Sequence, residues 1–162
     1  VLSHHPLSVA PLILHMEWMT QAHFTESVEE AGELDARFKD LLLHHWMEER
    51  QHAQLDTLMV ESLAQGLAAN QVQDAIDGYL ELGAFLDGGL KTQTKLDLEA
   101  LERACGRKLP AQDREDFLAQ QHQANRWTYI GSGMVHPNFL TTLGKLSPKM
   151  RDIVAGAAPR FS

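Results

Sequence analysis

Four ionisable side chains lie on what is otherwise an apolar stripe of a predicted helix. The stripe begins at Phe38 and continues through His45, Glu49, His52 and Asp56. Burying ionisable groups in a row is costly unless they pair with one another or bind a metal ion. Because Glu49 and His52 are three residues apart, both side chains project from the same face of the helix. A carboxylate and an imidazole at that spacing can ligate one metal ion together.

Simple helix geometry places carboxylates from two other helices at the same height along the helix axes as Glu49. If the first two helices are antiparallel and turn near Glu33, Glu17 lies level with Glu49 on the inward stripe of the first helix. The next antiparallel pair places Asp87 of the third helix opposite Glu49. Oxygen-rich ligation with one or two imidazoles suits iron or manganese better than softer metals. The candidate metal ligands are Glu17, Glu49, His52, Asp87 and His136.

Residues 46–52, Trp-Met-Glu-Glu-Arg-Gln-His, resemble the second-helix motif of ferritin-like di-iron carboxylate proteins, among them ferritins, rubrerythrins, acyl desaturases and aldehyde-deformylating oxygenases. Glu17 stands at the interval that this family uses for its first-helix ligand. The resemblance implies an up-down-up-down four-helix bundle. It also implies that Glu49 and His52 ligate one iron ion, that Glu17 is a terminal or bridging carboxylate, and that the site activates dioxygen or peroxide.

The second half of the chain departs from the family pattern. The third helix has Asp87 where the family usually has glutamate, and the residue three before His136 is Gly133 rather than glutamate. A single ion and a lopsided pair that uses Asp87 and His136 both stay open, with iron expected and manganese as the alternative. Residues 131–133, Gly-Ser-Gly, are expected to leave room beside the metal for a small substrate.

Each candidate also has an interpretation without a metal. Glu49 and His52 could form an exposed ion pair on a solvated face. Asp87 precedes two glycines and could form a local turn, and His136 could satisfy carbonyl groups at a helix end. His45 could be a partner of the ligand residues or a ligand itself, and a packed histidine is the expectation we favour.

The elements that position these residues are predicted to be helical. Long segments with helical periodicity lie between the prolines and glycines, without the alternating Val, Ile and Thr runs typical of strands. Asp35 and Asn70 are predicted N-caps, and Gly66 a C-terminal stop. We expect an all-α, ferritin-like four-helix bundle with helices at 6–31, 36–65, from 70 to a turn at 106–110, and from that turn to about 143, followed by a short C-terminal helix at 148–157.

Composition limits the class of protein. The 162 residues fit one domain, 1–162, and a formal net charge of -8 makes nucleic acid and anionic membranes poor partners. No stretch reaches the roughly 20 apolar residues that a membrane span needs. Because Cys105 is the only cysteine, disulfide frameworks are excluded and a reducing cytoplasm is expected.

Three functions fit these observations. The first is a non-haem iron oxidoreductase or oxygenase that acts on dioxygen or peroxide and an unidentified small substrate. The second is iron oxidation and storage in an oligomeric shell. The third is a degenerate, non-catalytic bundle that serves as an interaction module. A homodimer is left open.

Overall fold

A computed structural model describes residues 3–161 and confirms the all-α class, with 86 % helix and no strand in that range. Two π-helical turns, Phe24–Val28 and Trp127–Gly131, interrupt the α-helices, and a 3-10 turn, Ala158–Phe161, ends the described chain. None of the helices between residues 3 and 161 is long and apolar enough to cross a membrane. The α-helices are α1 (Pro6–His23), α2 (Ala36–Ala64), α3 (Ala69–Cys105), α4 (Ala111–Arg126), α5 (Ser132–Met134), α6 (Pro137–Leu146) and α7 (Pro148–Ala157).

Most helix ends follow from local chemistry. The Asp35 carboxylate accepts backbone N–H groups in the first turn of α2, as predicted for an N-cap. Gly66 and Gly106 follow α2 and α3 with φ angles of 78° and 65°, a left-handed conformation that favours glycine. The prediction that Asn70 caps α3 is wrong, because α3 begins at Ala69 with Ala68 as its N-cap.

Helix α1 lies at the centre of the molecule. Helix α2, the first half of α3, and helices α5 and α6 all pack against it. The apolar core joins α1 to the start of α3 and to the C-terminal helices. Its fully buried members include Leu7, Leu14, Ile76, Tyr79, Ile130, Phe139, Leu143 and Val154.

The second half of α3 and helix α4 form an antiparallel hairpin, which we call the arm (residues 85–126). Leu86 and Leu90 at its base pack against the core. Beyond the base, the only buried side chains of the arm are Thr94 and Leu98, and α4 has none. In the described chain, α2 and α3 scarcely touch. The predicted pairing of the second and third helices is therefore not observed within one chain.

The predicted fourth helix is divided into several pieces. After α4 the chain makes a π-helical turn and the three-residue α5, and α6 begins at Pro137. Proline has no N–H and favours the first turn of a new helix. The segment between α4 and α6 packs tightly against α1, because a Cβ added at Gly133 would lie 2.1 Å from Cδ2 of His15. Glycine at this position thus allows α5 to approach α1 closely.

Candidate metal centre

Helices α1 and α2 bring Glu17, Glu49 and His52 together. One donor atom from each side chain lies within 4.8 Å of the other two. One turn further along the same interface, the Gln21 amide donates a hydrogen bond to the Trp46 carbonyl at 2.9 Å. These contacts are those of an antiparallel pair in which Glu17 is level with Glu49, as the sequence spacing predicted.

Glu49 is the centre of this cluster. His52 Nδ1–H donates to Glu49 Oε2 at 2.8 Å, and His45 Nδ1 lies 3.1 Å from Glu49 Oε1. The Glu49 side chain is 15 % exposed, whereas those of His45 and His52 are 53 % and 55 % exposed. The expectation that His45 is a packed histidine is therefore wrong. It is a partly exposed partner of Glu49, on the opposite carboxylate oxygen from His52.

The two carboxyl groups share a proton. Burial raises the pKa of Glu17 to about 8, and a hydrogen bond to Glu49 and the negative charges of Glu49 and Asp56 act in the same direction. The hydrogen bond from Glu17 lowers the pKa of Glu49. Near neutral pH, Glu17 therefore carries the proton and donates it to the Glu49 carboxylate.

Two further ionisable groups respond to the same charges. The hydrogen bond to Glu49 raises the pKa of His52, which favours an imidazolium beside that carboxylate. Partial burial raises the pKa of Asp56, one helical turn beyond His52. A divalent cation at this place would replace protons on Glu17 and His52, because ligand atoms must be deprotonated to bind a metal.

Asp87 is not part of this cluster. It lies at the base of the arm, where its Oδ1 accepts a hydrogen bond from His122 Nε2 at 2.9 Å and forms an ion pair with Arg126, whose Nε is 3.0 Å away. The prediction that Asp87 lies opposite Glu49 assumed that α2 and α3 pack side by side, which they do not. His122, for which the sequence indicated no role, is its partner instead.

His136 also lies outside the cluster. It is the N-cap of α6, where its Nδ1 accepts the Asn138 N–H at 3.3 Å. Its ring stacks on Trp18 with the centroids 4.7 Å apart, and burial lowers its pKa. The alternative that His136 satisfies carbonyl groups at a helix end is also wrong, because its ring accepts a backbone N–H at the start of a helix.

A cavity of about 230 Å³ lies beside the cluster, between the two π-helical turns. His45 borders it and also contacts Glu49, so the cavity and the cluster share one side chain. The Trp46 Nε1–H is buried without a partner among the described residues, and its side chain lines the cavity as well. The other lining residues are Met19, Thr20, His23, Phe24, Val28, Leu42, Thr128 and Tyr129.

The room expected at residues 131–133 is filled. A Cβ added at Gly131 would lie 2.6 Å from the Trp127 ring, and one added at Gly133 would overlap His15. Space for a small molecule is found instead at the neighbouring Thr128 and Tyr129. Sequence periodicity does not predict that the open space lies at Thr128 and Tyr129 rather than at residues 131–133, because this position depends on the π-helical turn.

The chain matches no family model, no curated protein and no solved structure. The resemblance to ferritin-like proteins therefore depends on three residues, Glu17, Glu49 and His52. Their spacing in sequence suggested it, and it stays a prediction.

Proposed function

We propose that this protein binds iron through Glu17, Glu49 and His52, in a helical architecture of the ferritin-like type, and that it uses the ion as a non-haem oxidoreductase or oxygenase. The observation that carries the proposal is the convergence of these three ligands from two helices. Two carboxylates with a raised and a lowered pKa form a site that a divalent cation stabilises, because the cation takes the place of the shared proton.

The ligand chemistry favours a hard or borderline ion. Two carboxylates and one imidazole suit iron or manganese, and with three protein ligands the ion keeps open positions for water or a reactant. Bound iron would supply one-electron chemistry toward dioxygen or peroxide. Asp56, next to His52 along α2, adds negative charge that further attracts a cation.

The remaining residues hold the reactants and a proton. The cavity of about 230 Å³ is lined mainly by apolar side chains, and an apolar cavity of about 150 Å³ already accommodates benzene. It therefore suits a small, largely apolar molecule. His45 borders this cavity and contacts Glu49. It is placed to hold a proton at Nδ1 between the substrate and the carboxylate.

One observation favours a single ion over a pair. In the ferritin-like pattern a second set of ligands comes from the third and fourth helices. Here Asp87 of α3 forms an ion pair with Arg126 and accepts a hydrogen bond from His122. A cation would have to displace a guanidinium from this carboxylate, so we assign one ion per chain to the cluster on α1 and α2.

The experiment that tests the proposal compares two neighbouring glutamates. Metal-free protein is dialysed against Fe(II) under anaerobic conditions, and bound iron per chain is measured for the wild type, Glu49→Ala and Glu48→Ala. We expect about one iron in the wild type and in Glu48→Ala, whose side chain is exposed and points about 100° away around the helix. We expect none in Glu49→Ala. Equal iron content in all three proteins, or none in the wild type, would refute the site and leave the non-catalytic bundle as the better interpretation.

A further inference from the structure

The chain exposes more surface than a compact protein of its size. A folded monomer of 18.2 kDa is expected to expose about 8,100 Å². This chain exposes 9723 Å². The excess is about 1,600 Å² per chain, and it is concentrated on α2 and on the arm.

Helix α2 carries exposed apolar side chains along its length that no other part of residues 3–161 covers. Only Ala53 and Val60 of its 29 residues are buried. Leu41 and Met59 lie within about 20° of His52 around the helix, and Leu55 lies within about 60°. The polar cluster of His45, Glu49, His52 and Asp56 is therefore bordered on one side by exposed apolar side chains. The exposed large apolar residues of α2 are Phe38, Leu41, Leu43, Met47, Leu55, Leu58 and Met59.

The arm carries the second uncovered surface. Phe85 is 77 % exposed and Leu96 is 51 % exposed, and they lie on the same side of α3, within about 20°. Between them, Gly88 and Gly89 have no atom within 4 Å of an added Cβ, so another helix can approach closely. Helix α4 adds an open hollow of about 710 Å³ lined by Ala119, Gln120, Gln123, Ala124 and Trp127.

The uncovered surface of α2 and the uncovered surface of the arm can each supply the packing partner that the other lacks. The pair formed by α1 and α2 lacks helices over one face, and the arm is a pair of helices that lacks a partner over one face. Two helices with so few buried side chains between them are not expected to be stable in water alone. A large exposed apolar surface marks an interaction site.

We propose that a second copy of this chain covers both surfaces, with the arm of each copy packed on the α2 face of the other. A two-fold axis then uses each surface once per chain and closes the assembly as a dimer. Burying the excess on both chains gives about 3,200 Å² in total, within the roughly 2,000–5,000 Å² of obligate homodimers. If the proposed metal site holds, the arm of the partner also covers its open side, and this one consequence rests on the proposed function.

The test measures mass in solution for the wild type and for one double variant on each surface. We expect about 36 kDa for the wild type by light scattering at micromolar concentration. Leu55→Glu with Leu58→Glu, and separately Phe85→Glu with Leu96→Glu, should each give about 18 kDa. These side chains are 51–77 % exposed in the single chain, so helical content by circular dichroism should not change. Ala155→Glu on α7, also at an exposed helix position, is the control and should stay dimeric.

Mixing the two double variants distinguishes the exchanged arrangement from other dimers. A mixed dimer contains one wild-type contact, between the unaltered α2 and the unaltered arm, and one contact altered on both sides. Each variant alone has both contacts altered, whereas the mixed dimer keeps one contact intact. The mixture should therefore recover a dimer that neither variant forms alone. A monomeric wild type, a dimeric arm variant, or no recovery on mixing would each overturn the proposal. None of these outcomes depends on whether a metal binds.

Discussion

Replacing Glu17 with glutamine should remove a specific pH dependence of stability in the metal-free protein. The folded-state pKa of Glu17 is about 8, against an ordinary value of 4.5. Between these two values the folded chain holds a proton that the unfolded chain has released. The stabilisation associated with this proton is fully present below pH 4.5 and is lost as the pH rises through about 8. Glutamine cannot ionise, and its amide N–H can still donate to Glu49.

The size of the effect follows from the two pKa values. A difference of 3.5 units corresponds to about 4.8 kcal/mol as an upper limit. Since the Glu17 side chain is only partly buried, solvent screening reduces this, and we expect the wild type to lose about 1–2 kcal/mol more than the variant between pH 5 and pH 8.5. The raised pKa of His52 changes stability in the same direction but is present in both proteins. The difference between the two proteins in how the free energy of unfolding changes with pH therefore reports the contribution of Glu17.

The assay is urea unfolding followed by circular dichroism, with a chelator present and at one fixed protein concentration, since a dimer makes stability depend on concentration. Glu48→Gln is the matched control, because Glu48 is exposed on another side of α2, and it should keep the wild-type slope. If Glu17→Gln keeps the full slope between pH 5 and pH 8.5, Glu17 is not the proton carrier. The shared proton between Glu17 and Glu49 would then be refuted.

Three further predictions concern the metal and the packing behind the site. Saturating Fe(II), at about 100 times its dissociation constant, should stabilise the wild type by about 2.7 kcal/mol and raise its melting temperature by about 5–10 °C, whereas Glu49→Ala should show no shift. Fe(II) affinity measured by competition should fall at least about tenfold per pH unit between pH 8 and pH 6, as Glu17 and then His52 take up protons, and a flat profile would contradict this. Gly133→Ala should cost about 3 kcal/mol or more in urea unfolding, because the new Cβ meets both the ring and the carbonyl oxygen of His15. Gly156→Ala, with nothing within 4 Å, should be neutral or stabilising.

The half of the molecule formed by α1 and α2 could be predicted from sequence for a physical reason. A short connection joins these helices, and Asp35 defines the start of the second. Once the turn is located, the rise per residue determines which side chains are level, so Glu17 and Glu49 could be paired from their numbers alone. For His45 the sequence favoured a packed histidine over a partner of the ligands, because helical periodicity separates inward from outward positions and His45 occupies the boundary between them.

The same reasoning failed for Asp87 because it assumed that α3 packs beside α2, and the local sequence does not determine which helices pack together. Periodicity shows that α3 has an apolar stripe, but it does not show which helix covers each part of that stripe. Tyr79 is buried against α1, whereas Phe85, fewer than two turns later, faces solvent. A sequence records that a residue is apolar, not whether its partner belongs to the same chain. The exposed Phe85 and Leu55 are therefore informative only after the structure shows that no other part of residues 3–161 covers them.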